Sequence, residues 1–577
     1  MGTEHTVDFL VIGSGAAGMS GALHAHELGM STLVVEASDQ YGGSTAISGG
    51  LVWIPDNPQL PARGIPDSRE DALLYLRTIT GGTVSDARIE AYVDQSKRML
   101  AWMKDKTHLH LEALEEYCDY YPEEAGGKPG GRSMEPVPFD ATKLGAEQFA
   151  LLRRPHIQSQ VLGKFGVTAR EVKGFLAPTW GGRFRVLWRL IQYLFRAFKR
   201  RGMPRDTKLH AGNALIARLR MSLLDRDIPL WLNSPARELI IEDGRVVGAK
   251  VERGGSITAV RASRGVLLAA GGFEHNQEWR DKHHTLGESR TEWNTGNKHN
   301  VGAGIQMGLD AGGAVANMHE AWWTPITRIP KSDVPFVLVV EKSLPGGIMV
   351  NKHARRFTNE AAPYIDVVKG MYEGDAVPTC WLIFDAIFRE RYPVGPVAPG
   401  YAQPDHRISR RLRDGFFTRG KTIEELAEKL ELDPVALKET IERHNGFAKT
   451  GVDEDFGRGS SLAGRYYADA LIAQPNPCLR ALTKAPFYAI PVYPGELGTK
   501  GGLVTDPQAR VLREDGSAIP GLYASGNTTA SVMGPTYPGA GGTIGPALTF
   551  GFLAAEAAVD DSAQSAPKAP KKEAASA

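Results

Sequence analysis

Three glycines and one carboxylate near the N-terminus have the types and spacing to hold a pyrophosphate and a ribose. Gly13, Gly15 and Gly18 stand in the run Gly13-Ser14-Gly15-Ala16-Ala17-Gly18, and Glu36-Ala37 follows. Glycine at 13 permits a tight turn, at 15 it lets the backbone approach a pyrophosphate, and at 18 it lets a helix pack closely on a strand. The free N–H groups of that helix face the phosphates. Glu36 is placed to accept bonds from ribose hydroxyls. Next come Gly42-Gly43-Ser44-Thr45 and Ser48-Gly49-Gly50, small residues that let a chain run beside a flat ring system. Near the C-terminus, Tyr537-Pro538-Gly539-Ala540-Gly541-Gly542-Thr543-Ile544 leads into an apolar run. Glycine-rich backbone entering a helix can turn N–H groups toward an electron-rich ring edge.

These residues need particular elements to position them. Val7 to Ile12 is an apolar run that reads as a buried strand. Met19 to Leu28 reads as the helix and Thr32 to Val35 as the second strand. Amphipathic spacing over 68–118 predicts helices, followed by a glycine-rich loop at 126–133. From about residue 208 the nucleotide-binding pattern resumes. A helix begins near His210, Pro229 to Leu232 is a strand, and a hairpin spans Glu238 to Ala249 just after Ala236. The strand from Gly265 ends at Ala270-Gly271, and a later one leads to Gly526-Asn527. This order of elements resembles that of the two-dinucleotide-fold flavoproteins, and the resemblance implies an α/β fold, a Rossmann-like FAD-binding domain of the two-dinucleotide-fold type split by an inserted α+β capping domain. Its boundaries are 1–296 and 485–558 for the FAD-binding parts and 297–484 for the cap. A tail at 559–577, rich in Ala, Pro, Lys and Ser, is expected to be disordered.

At 577 residues the chain exceeds a single core. A net charge of +1 excludes the chain as a whole from electrostatic nucleic-acid binding. Cys118, Cys380 and Cys478 have neither metal-ligand nor disulfide-framework spacing, so no metal is expected and a reducing compartment fits. The N-terminal apolar run reads as a core strand, not a signal peptide, and no apolar stretch reaches membrane-spanning length. One segment stands out. Residues 183–205 carry eight basic side chains and no acid. On a helix, Phe184, Leu187, Trp188, Ile191, Phe195 and Phe198 share one face, and Arg185, Arg189, Arg196, Lys199 and Arg200 the other. That pattern suits a helix lying in a membrane interface.

Three separated stretches give the chain its resemblance to a family. They are Asp119-Tyr120-Tyr121 with Gly131-Arg132-Ser133, then Asn359-Glu360 with Pro363-Tyr364, then Tyr537-Pro538-Gly539-Ala540-Gly541. The chain resembles the 3-ketosteroid Δ1-dehydrogenases, FAD enzymes of the fumarate-reductase-like superfamily. The resemblance implies that Tyr364 takes a proton from C2 of a 3-ketosteroid, assisted by Tyr120 or its neighbour Tyr121. Tyr537 and the Gly541 N–H would hold the C3 carbonyl oxygen, and flavin N5 would take the hydride from C1. Relatives with covalent flavin use a histidine in the second glycine loop. This chain has none between His26 and His108, so FAD is expected to be non-covalent.

The chemistry is consistent with those roles. A C–H beside a ketone becomes acidic only when charge on the oxygen is stabilised, and a phenol plus an N–H form an oxyanion hole. A phenol has an ordinary pKa of about 10, so Tyr364 needs a neighbour that favours its anion. Alternatives within the superfamily are a 3-ketosteroid Δ4-dehydrogenase and a fumarate-reductase-like dicarboxylate reductase, and outside it a non-catalytic FAD-binding scaffold at a membrane surface. The basic segment points to a steroid that keeps its C17 side chain, such as cholest-4-en-3-one. It also points to a quinone as electron acceptor and to attachment at the inner, cytoplasmic face of the cell membrane.

Overall fold

The computed structural model describes residues 4–161, 163–176, 179–198 and 200–565. Its N-terminal strand β1 (Glu4–Ile12) is fully buried from Phe9 to Val11, as a parallel central strand requires. It pairs in parallel with β2 (Thr32–Val35) on one side and with the Ser256–Leu268 strand on the other. The sheet runs Leu230–Trp231, β2, β1, Ser256–Leu268, Arg245–Arg253, Ala236–Glu242, and the late strand Ala518–Ala524 adds in parallel to the end of Ser256–Leu268. The N- and C-terminal thirds of the chain therefore share one sheet, as the split FAD-binding domain requires.

Helix α1 (Ala16–Glu27) packs against the long helix Ile544–Ser565. Glycines make that approach close. A Cβ at Gly551 would stand 2.3 Å from the Ala17 carbonyl oxygen, and one at Gly21 would stand 3.0 Å from the Gly551 carbonyl oxygen.

A second, antiparallel sheet forms the cap, in the order Phe336–Val337, Ala321–Thr327, Phe487–Thr499, Cys380–Asp385, Gly347–Val350. The 13-residue strand Phe487–Thr499 lies at the centre of this sheet. The Ala303–Asp310 helix packs on the first sheet. The C-terminal helix runs to Ser565. Residues 566–577 lie outside the described residues.

The basic segment forms the helix Trp180–Phe195, N-capped by Thr179, whose hydroxyl accepts from the Gly182 N–H. Phe184, Leu187, Trp188, Phe195 and Phe198 are all exposed, with Trp180 and Leu194 beside them, while Ile191 is half-buried. The basic side is not uniformly solvated. Arg189 is buried and paired with Glu171 at 2.6 Å, and Arg196 approaches Asp206 at 3.8 Å. Arg183 stacks over the Tyr401 ring of the cap. Lys199 lies outside the described residues. No helix among the described residues is long and apolar enough to cross a membrane.

Candidate active site

The phosphate clamp is built as its glycines require. Gly13 has φ +111°, and a Cβ there would sit 2.3 Å from the Ala269 carbonyl oxygen. A Cβ at Gly18 would lie 2.0 Å from the Gly13 oxygen. At Gly15, the N-cap of α1, a Cβ would meet only Thr45 Oγ1 at 3.8 Å. Two of the glycines thus close the turn and the third leaves open space at the helix N-terminus, which is the cradle a pyrophosphate needs. Glu36 is buried at the end of β2. Its Oε2 accepts from Ser14 Oγ at 2.6 Å and Ser14 N at 3.1 Å, and its Oε1 from Ser38 Oγ at 2.9 Å and Ser38 N at 3.1 Å. Ribose hydroxyls would share oxygens that already brace the loop, a structural duty the spacing alone did not predict.

The second loop folds over the first. Gly42, at φ +110°, donates its N–H to Ser14 Oγ, and Thr45 Oγ1 accepts from the Ala16 N–H. Ser44 Oγ accepts from Asn297 N and Asn300 Nδ2. Ser48 Oγ accepts from the Gly50 N–H, and a Cβ at Gly50 would strike the Ala211 backbone at 2.3 Å. Gly49 continues this loop, Ala37 follows Glu36, and Ala236 opens the strand two residues beyond Ser234, which donates its N–H to the Glu36 carbonyl. Across the sheet, the Gly271 carbonyl, next to Ala270, accepts from Thr528 Oγ1. Gly526, Asn527, Gly542 and Thr543 line one cavity together with Trp322 and Arg88, just ahead of Ile544, where the C-terminal helix begins. Arg88 and Trp322 were not expected from the sequence, and no local motif marks them. Open space at Gly15, beside the N-terminus of α1, fits the pyrophosphate of FAD.

The three tyrosines, from three distant stretches, converge. The Tyr120 ring lies 5.3 Å from that of Tyr364 and 5.1 Å from that of Tyr537, edge-on to both. Tyr120 OH donates to Tyr364 OH at 3.0 Å. Tyr121 turns away, donating to Asp366 Oδ1 at 3.1 Å, so the neighbour of Tyr364 is Tyr120.

Buried charge holds Tyr120 in place. Its neighbour Asp119 accepts from Trp53 Nε1 at 2.8 Å and from Arg132 Nη1 at 2.9 Å, and Arg132 also pairs with Asp67 at 2.6 Å. Burial pushes the Asp119 carboxyl up to about 6, against the pull of Arg132. Arg132 lies in the same Gly131-Arg132-Ser133 stretch that accompanied Asp119-Tyr120-Tyr121 in the sequence, and the ion pair explains why the two go together.

Tyr364 is the first residue of the Tyr364–Glu373 helix. Burial pushes its phenol up to about 12, while bonds from Tyr120 and Tyr117 pull it down. Burial likewise raises Tyr120 well above the ordinary phenol range, so at neutral pH it is a donor. Tyr537 is pushed up to about 12 by burial, opposed by hydrogen bonds from Thr543 and the Gly541 backbone. Gly541 adopts φ +101°, its carbonyl accepts from the Trp53 N–H, and a Cβ there would lie 2.5 Å from the Trp53 nitrogen. The three phenol rings therefore meet at one place, with Tyr120 donating to Tyr364.

A fold of this class with this glycine clamp defines an FAD-binding flavoprotein, and the family model described as FAD binding domain matches residues 8–544. A 3-oxosteroid 1-dehydrogenase of Mycolicibacterium smegmatis is 41% identical, covering 96% of this chain and 97% of its own. One of Comamonas testosteroni is 34% identical, with 96% of each chain covered. The crystal structure of 3-ketosteroid delta1-dehydrogenase from Sterolibacterium denitrificans, in complex with 1,4-androstadiene-3,17-dione, superposes with a TM-score of 0.93 at 42% identity, covering 96% of this chain and all of that one. The chain belongs to the family of FAD-dependent 3-oxosteroid 1-dehydrogenases.

Proposed function

We propose that this enzyme desaturates 3-ketosteroids between C1 and C2, with the roles divided among Tyr364, Tyr120, Tyr537 and Gly541. The observation that carries the assignment is the Tyr120–Tyr364 hydrogen bond of 3.0 Å, with the Tyr537 ring 5.1 Å from that of Tyr120. Tyr537 OH and Gly541 N–H hold the C3 oxygen and stabilise the charge that develops there as C2 loses its proton. Tyr364 receives that proton, and Tyr120, donating to its oxygen, favours the phenolate. FAD, when bound, supplies the acceptor for the hydride leaving C1. Anaerobic addition of androst-4-ene-3,17-dione or cholest-4-en-3-one tests the reaction: flavin absorbance bleaches and a Δ1 product forms. A Δ4 product from a saturated ketosteroid, with none at C1–C2, would favour the alternative dehydrogenase.

The exposed apolar face of the Trp180–Phe195 helix supports a second reading, peripheral attachment to the cytoplasmic face of the membrane. Contiguous exposed aromatic side chains on one face are costly in water and favourable at a lipid interface, and the flanking arginines suit anionic headgroups. Such a site fits a sterol that keeps its side chain and a quinone as the electron acceptor. The variant Trp188→Glu/Phe195→Glu should lose sedimentation with phosphatidylglycerol vesicles while bleaching normally with soluble steroid. Unchanged sedimentation would reject the membrane reading.

A further inference from the structure

One buried cation beside the site has no part in the chemistry above. Lys342 is 2% exposed, in the cap. Its ammonium donates to the Ala362 carbonyl at 2.5 Å and to the Glu360 carbonyl at 3.1 Å. Those carbonyls belong to the short turn that ends at Pro363, immediately before Tyr364. The same Nζ lies 5.6 Å from the centroid of the Tyr364 ring. One charged group is therefore fixed to the mounting of the phenol and also faces its ring.

The surroundings show why the charge is directed there. The Glu360 carboxylate is fully engaged by others, with Arg356 at 2.8 Å, Arg458 at 3.2 Å and the Met349 N–H at 3.1 Å. Asp453 is paired with Arg356. Arg458 also donates to the Lys342 carbonyl. Around Lys342 the charged and titratable neighbours are Arg458, Glu360, Asp366, the Cys478 thiol and the Tyr364 phenol. Asp366 Oδ1 accepts from the Tyr121 hydroxyl. Arg356, Arg458 and Lys342 are matched in number by Glu360, Asp453 and Asp366, and the group that the Lys342 ammonium itself faces is the Tyr364 ring. An ammonium over an aromatic face is attracted to the ring, and more strongly when the ring carries negative charge.

We propose that Lys342 is the positioning cation of the catalytic base: it pins the Glu360–Ala362 turn that carries Tyr364 and favours the phenolate by facing its ring. This rests on the reading of Tyr364 as the C2 base. It accounts for how a buried phenol, which burial alone would make a poorer base, is brought into use with Tyr120. Lys342 acts through Tyr364 and does not touch substrate. Burial holds the Lys342 ammonium down at about 7, against the pull of Asp366 and Glu360.

The test is the pH dependence of anaerobic flavin reduction by androst-4-ene-3,17-dione in the FAD-loaded enzyme. Wild-type bleaching tests the reading of the base and reaction. Lys342→Met tests the inference. Without the cation the rising limb of the rate moves to higher pH by about one unit or more, a tenfold loss of phenolate at a given pH. Lys342→Arg restores the wild-type limb, and steroid affinity is unchanged. A limb that stays in place in Lys342→Met, with only the plateau lowered, would overturn the proposal and leave a structural lysine. If Lys342→Met does not fold, Lys342→Gln, which keeps a donor for the carbonyls but no charge, is read by the same criterion.

Discussion

Around the dinucleotide clamp the recognising surface is backbone, whereas around the three tyrosines it is side chains braced by buried charge. Gly13 and Gly18 fit because nothing larger clears the Ala269 and Gly13 carbonyl oxygens. Tyr120 and Tyr364 are held instead by ion-paired foundations, Asp67–Arg132–Asp119 under one and Glu360–Arg356–Arg458 with Lys342 under the other. Damage to the first region should therefore remove the cofactor and the fold together. Damage to the second should remove the reaction and leave a yellow protein.

The sharpest break in the comparison is Gly18→Val. Its Cβ would overlap the Gly13 oxygen, so the expected outcome is loss of FAD and of soluble protein, read by flavin absorbance after purification. Arg132→Met comes next. It strands two buried carboxylates, Asp67 and Asp119, and removing one partner of a buried ion pair costs about 3–5 kcal/mol. Denaturant unfolding measures that loss, and retained stability would show the pair to be dispensable. Tyr537→Phe removes one donor to the C3 oxygen and should slow flavin reduction by about 10²–10³ with FAD content unchanged. The smallest effect is expected for Tyr121→Phe. Its hydroxyl bonds Asp366 and not Tyr364, so bleaching should slow by less than about tenfold; a loss matching that of Tyr120→Phe would mean the two tyrosines have been assigned the wrong way round.

The same contrast explains what the sequence revealed. The clamp is local: Gly13, Gly15, Gly18 and Glu36 fall within one strand–helix–strand unit, so their spacing carries their geometry. The tyrosine site is assembled across the chain, Tyr120 and Tyr364 being 244 residues apart, and nothing in periodicity brings them together. Resemblance to a family named them, and the side-chain direction of each puts Tyr120 against Tyr364 and Tyr121 against Asp366. Lys342 carries no motif, because a buried lysine and an exposed one look alike in a sequence. Glu36 shows the opposite limit: its position was legible, but its bonds to Ser14 and Ser38 were not. The basic helix was legible as amphipathic, yet only the structure shows the apolar face turned outward and Arg189 turned inward.

The most direct test of the account is the rate of anaerobic flavin bleaching in Tyr364→Phe loaded with FAD to the wild-type level. The account predicts full FAD content, unchanged steroid affinity and a bleaching rate lower by about 10²–10⁴, the usual contribution of a general base. Bleaching at the wild-type rate would contradict it and move the proton-accepting role away from Tyr364.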